Sequence, residues 1–111
     1  MSGNRIYLQP VTMIYNAILD MMELQRGHEI IKDPMCGKIH FRIILYGFEW
    51  ELQFAIMNIE MNRSSVTLEI EGTENDDGDE PGFLEAMLRR EYALLDSMLL
   101  IGTPLDKIAY Q

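Results

Sequence analysis

Chemistry in a short chain has to come from its nucleophiles, its imidazoles and its clustered carboxylates. Among 111 residues there is one cysteine and there are two histidines. Cys36 stands beside Pro34, Met35 and Gly37 in a turn-like segment. A single thiol excludes an internal disulfide and lacks the partners of a thiolate metal site, and neither His28 nor His40 is spaced to activate it. Two histidines without a shared short spacing also make a poor metal pair. Glu49 and Glu51 share a strand face, as a carboxylate pair for acid–base work does, but alternating glutamates are equally the wet side of a half-buried strand. The run Glu74-Asn75-Asp76-Asp77-Gly78-Asp79-Glu80 has the oxygens a hard cation wants, yet no frame that opens on one of its aspartates places a carboxylate at the twelfth position of a calcium loop. Glycine-rich phosphate loops, nucleophile elbows and zincin-like signatures are missing. These residues predict no catalytic residue, no metal and no cofactor, and hence no enzyme.

The other residues able to make a site are apolar. Nine methionines can line an adaptable apolar pocket or a promiscuous protein-binding surface, or simply fill a core. Where they fall depends on the elements that carry them.

Ile6 to Gln9 reads as a short edge strand, and Pro10 suits the first helical position. From Val11 to Gln25 apolar residues recur at Ile14, Ile18, Met21 and Met22, widened by Ala17 and Leu24, with Asn16, Asp20 and Glu23 opposite, and Gly27 reads as the stop. His28 to Lys32 is a short strand before the turn at 33–37. From Lys38 to Tyr46, Ile39, Phe41, Ile43 and Leu45 share a face, as do Trp50, Leu52, Phe54 and Ile56 in the next segment. A Gly47-Phe48 type II′ loop predicts Leu45 opposite Trp50, Ile43 opposite Leu52, Phe41 opposite Phe54, Ile39 opposite Ile56 and Arg42 opposite Gln53. The apolar phase changes near Met57-Asn58, which predicts a bulge or a bend there; Asn62-Arg63-Ser64 reads as a turn, and Val66, Leu68 and Ile70 mark a last strand. Residues 72–81 read as an acidic mobile loop, Gly82 to Ile101 as a long helix with a broad apolar stripe, and 103–111 as a tail. The expectation is one α+β domain over 1–111: a single antiparallel meander sheet, ordered β-α-β4-α, with an N-terminal and a long C-terminal helix packed on it. A chain this short buries roughly two thirds of its unfolded surface, enough for one core.

This layout resembles a reduced START/Bet v1-like "helix-grip" domain, and equally the half-domain topology of the TATA-binding protein. The segments that carry the resemblance are Ile6 to Pro10 leading into Ile14-Tyr15-Asn16-Ala17-Ile18-Leu19-Asp20, Trp50 to Ile56, Ser65-Val66-Thr67-Leu68-Glu69-Ile70, and Leu94-Leu95-Asp96-Ser97-Met98-Leu99. The helix-grip resemblance implies an apolar ligand held between the curved sheet and the C-terminal helix. The chain is shorter than those domains, lacking their extra strands and second N-terminal helix.

The formal charge of -9 repels phosphate backbones and anionic headgroups, so neither nucleic acid nor membrane is an expected partner. No run approaches the roughly 20 apolar residues of a membrane span, and no leader-like segment opens the chain, which predicts a cytoplasmic protein. The function expected first is that of a non-enzymatic interaction protein, a homodimer or a partner of another protein, that buries surplus apolar surface of the second helix or an open sheet edge. The alternative is a carrier of a small apolar ligand walled by Tyr46, Trp50, Phe54, Met87, Tyr92 and Met98.

Overall fold

The computed structural model describes residues 2–72 and 81–101. The residues of the acidic run and of the tail predicted over 103–111 lie outside that description. Five strands, β1 (Ser2–Tyr7), β2 (His28–Asp33), β3 (Lys38–Leu45), β4 (Phe48–Glu60) and β5 (Arg63–Gly72), form one antiparallel sheet in the order β1-β5-β4-β3-β2. Helices α1 (Val11–Leu24) and α2 (Pro81–Ile101) cover one face of it. The predicted α+β meander is the observed architecture, with β1 at one sheet edge and β2 at the other.

Alternation explains the layering. Ile39, Phe41 and Ile43 of β3, Trp50, Leu52, Phe54 and Ile56 of β4, and Val66, Leu68 and Ile70 of β5 all point inward and are buried. Ile14, Ile18 and Met21 of α1 and Met87, Leu88, Leu95 and Leu99 of α2 meet them in one continuous core. At about 25 cal/mol per Å² of apolar surface, each such side chain contributes roughly 1.5–3 kcal/mol. Leu24, expected to widen the stripe of α1, is instead exposed.

The β3–β4 hairpin turns at Tyr46-Gly47, not at Gly47-Phe48. Both turn residues have positive φ, 55° and 81°, as a type I′ turn requires. The partners are therefore Ile43 with Trp50, Phe41 with Leu52 and Ile39 with Phe54, each displaced by two residues from the expected register. A two-residue slide leaves every side chain on its face, so the apolar alternation is blind to it. Charge separates the two registers: Arg42 now stands opposite Glu51 and reaches Glu51 Oε1 at 3.1 Å and Glu49 Oε1 at 3.3 Å.

Two other boundaries move. The bulge of β4 lies between Asn58 and Glu60, and the turn is Met61-Asn62, with Asn62 at φ 57°, so that Arg63 and Ser64 belong to β5. The helix α1 ends at Leu24, one residue before the expected Gln25, but the left-handed residue that follows it is Arg26, φ 56°, and Gly27 is not among the positive-φ residues. Gly27 is needed for closeness instead, since a Cβ there would lie 2.8 Å from both Phe41 Cδ2 and Met22 Cγ.

Candidate functional site

The apolar candidates come from two elements that face each other. Trp50 and Phe54 lie on the inner side of β4, and Met87, Tyr92 and Met98 lie on α2; all are buried except Met98, which is partly so. Phe54 stacks on Phe41 with ring centroids 5.9 Å apart and 13° between planes. Tyr46 stands apart from the others, 73% exposed at the hairpin turn. Phe83, in the first turns of α2, connects the two groups: it tilts over Trp50 at 5.3 Å and meets Tyr46 edge-on at 5.7 Å. Trp50 Nε1 donates to the Leu45 carbonyl at 3.4 Å, so the indole is anchored at its polar end.

Polar groups fasten α2 to the rest. Tyr92 OH reaches the carbonyls of Gly3, at 3.0 Å, and Val66, at 3.1 Å. One turn on, Asp96 accepts from Tyr7 OH at 2.8 Å and Arg5 Nη1 at 2.6 Å. Burial raises the pKa of both tyrosines, so each keeps its proton and serves as a donor. Glu91 has no exposed surface. It accepts from Gln25 Nε2 at 2.8 Å and from Arg90 Nη1 at 2.6 Å, and Arg90 also donates to Gln25 Oε1 at 2.7 Å. Burial raises its pKa, while Gln25 and Arg90 oppose that shift. The sequence did carry a signal for this network: Glu91 falls inside the apolar stripe of α2, between Leu88 and Leu95, where a carboxylate is tolerated only with partners.

Tyr15, also overlooked, is buried on α1 with its hydroxyl unpartnered among the described residues. Burial raises its pKa, helped by the nearby charges of Asp33 and Glu29.

The chemical candidates are scattered. Cys36 is exposed in the β2–β3 turn, and its hydrogen bond with Asp33 raises the thiol pKa, the opposite of activation. His28 is exposed at the start of β2, and His40 lies on the outer sheet face with Nε2 3.7 Å from Glu51 Oε2. Glu49 and Glu51 share that outer face, and Arg42 bridges them. Among the described residues no group of three or more His, Cys, Asp or Glu could hold a metal ion.

Of the apolar candidates, Phe54 borders one of two open clefts bounded by described residues. One of about 410 Å³ runs along the outer face beside Ile31, His40, Gln53 and Glu69. Another, about 430 Å³, is framed by Gln25, Arg26, His28, Arg42 and Glu49 where α1 ends. The surplus apolar side chains of α2 turn mostly inward: Phe83, Leu84, Leu94 and Met98 pack partly buried against the core, and Leu100 is exposed. No helix among the described residues is long and apolar enough to cross a membrane.

No family model and no curated protein matches the sequence. Solved structures match by fold. Ara h 8.0201 is similar with a TM-score of 0.70 at 7% identity, over 89% of this chain and 93% of that one. A START superfamily protein from Mycobacterium smegmatis gives 0.55 at 10% identity, over 89% and 92%. The di-domain ARO/CYC StfQ from the steffimycin biosynthetic pathway gives 0.62 at 10% identity over 89% of this chain, which spans only 43% of that protein. The fold is thus that of START/Bet v1-like helix-grip proteins, and at such identities the likeness is one of fold.

Proposed function

We propose that this helix-grip chain is a small cytoplasmic binding protein, not an enzyme, that takes an apolar ligand between its sheet and α2. Trp50, Phe54, Met87, Tyr92 and Met98 form the wall, and Tyr46 forms the rim. The observation that carries the reading is the aromatic cluster at the start of α2, where Phe83 bridges buried Trp50 and exposed Tyr46. An apolar molecule that displaces Phe83 gains Trp50 and the inner face of β4 as its wall without breaking a hydrogen bond of α2, because the tethers at Tyr92 and Asp96 lie further along the helix. The reading as a non-enzyme is supported by the polar groups of α2: Glu91, Tyr92 and Asp96 each hold partners within the chain.

Native mass spectrometry of freshly purified protein tests the reading, followed by titration with an apolar fluorescent probe, 1-anilinonaphthalene-8-sulfonate, read through Trp50, the only tryptophan. A saturable one-to-one change that Phe83→Ala alters and that a surface variant such as Arg89→Ala leaves intact is expected. Bare chain in every charge state together with no saturable Trp50 response removes the proposal.

Self-association is a second reading, favoured by the β2 edge, on which no further described strand pairs and Ile30 and Ile31 are exposed.

A further inference from the structure

β2 ends the sheet: it pairs with β3 and with no other described strand. An open strand edge presents unpaired N–H and C=O groups that a further strand can complete. The opposite edge, β1, carries one charged residue, Arg5, already held by Asp96 at 2.6 Å. The β2 strand reads His28-Glu29-Ile30-Ile31-Lys32-Asp33 and is exposed along all but its last residue.

Residues three apart on a regular strand point to opposite faces. The bulge between Glu29 and Ile31 reverses that parity. Glu29 pairs with Phe41 and Lys32 with Ile39, both residues of the inner side; His28 pairs with Arg42 and Asp33 with Lys38, both of the outer side. In keeping with this, Lys32 Nζ approaches Glu29 Oε1 to 4.0 Å within the strand.

We propose that β2 pairs antiparallel with β2 of a second copy of this chain, about a two-fold axis between Ile30 and Ile31, which joins two sheets into one. Deepening the self-association reading on which it rests, the proposal fixes the register. A two-fold axis perpendicular to the sheet demands that facing residues share a side, and the bulge meets that demand for Glu29 opposite Lys32 and for His28 opposite Asp33, each pair occurring twice. Ile30 meets Ile31 across the axis. A slide of one residue sets Glu29 against Asp33, or His28 against Lys32, so charge selects this register. Six residues per copy make a small interface, and the dimer is accordingly weak and concentration-dependent.

Charge reversal tests the register, with sedimentation equilibrium on the whole chain from micromolar to near-millimolar concentration. Glu29→Lys alone, or Lys32→Glu alone, opposes like charges twice and weakens the dimer about tenfold. An equimolar mixture of the two variants restores association in trans, because each then offers the other two opposite-charge contacts. Both positions are half exposed, so circular dichroism should report unchanged folding. A wild-type monomer throughout the range overturns both the self-association reading and this register. A dimer indifferent to either reversal, or one not recovered in the mixture, overturns the register alone and assigns the contact to another surface. Neither outcome touches the apolar-ligand proposal, which is read from Trp50.

Discussion

Replacing Gly27 by alanine tests how α1 is joined to the sheet. A Cβ built there stands 2.8 Å from Phe41 Cδ2 and from Met22 Cγ and 3.2 Å from the Met22 carbonyl oxygen. Carbon atoms prefer roughly 3.5–4.0 Å, so two contacts overlap by about 0.7–1.2 Å. Met22 is partly buried and can turn aside, but Phe41 is fully buried and stacked on Phe54, so the ring has nowhere to go. Overpacking of this kind costs about 1–3 kcal/mol. The neighbouring change Arg26→Gly acts oppositely: it relieves a left-handed residue at φ 56°, worth roughly 1–2 kcal/mol, against roughly 0.4–1 kcal/mol of added unfolded-state entropy, for a net gain of about 0.5 kcal/mol. Urea unfolding followed by the fluorescence of buried Trp50 measures both. With a slope of about 2 kcal/mol per M, a loss of about 2 kcal/mol in Gly27→Ala lowers the midpoint by about 1 M. A midpoint equal to or above wild type would refute the close-packing argument. Destabilisation by Arg26→Gly would refute the assignment of the left-handed position.

Tyr46→Asn should stabilise the β3–β4 hairpin by about 0.5–1 kcal/mol, since asparagine tolerates the first position of a type I′ turn better than tyrosine does; a lowered urea midpoint counts against the turn as described. At Glu91 the folded pKa is raised, chiefly by burial, so its contribution to stability is largest below the unfolded carboxyl pKa and is lost as pH rises through the folded value. Compared at successive pH values, Glu91→Gln should therefore gain on wild type as pH increases; a difference that stays flat from acid to neutral pH would show that ionisation of Glu91 does not differ between the folded and unfolded chains.

Much of this molecule could be read along the chain because its signals are periodic. Period-two alternation in β3, β4 and β5 sets which side chains face inward, and a repeat near 3.6 does the same for α1 and α2. The α+β class, the meander and the inward position of Trp50, Phe54, Met87 and Tyr92 follow from those periods. Glu91 was legible in the same way, as a carboxylate inside an apolar stripe, although its partners Gln25 and Arg90 were not.

Whatever depends on distance between segments was decided only in three dimensions. The hairpin register is invariant in pattern to a two-residue slide, and the contact of Arg42 with Glu49 and Glu51 exists only once the strands are side by side. Gly27 looks like a helix stop in sequence, but the closeness of Phe41 is what excludes a side chain there. The bulge in β2, which puts Glu29 and Lys32 on one side, is equally silent in the residue string, because parity along a strand is set by the pairing partner. Local periods determine which face a residue takes, whereas packing determines whom it meets there.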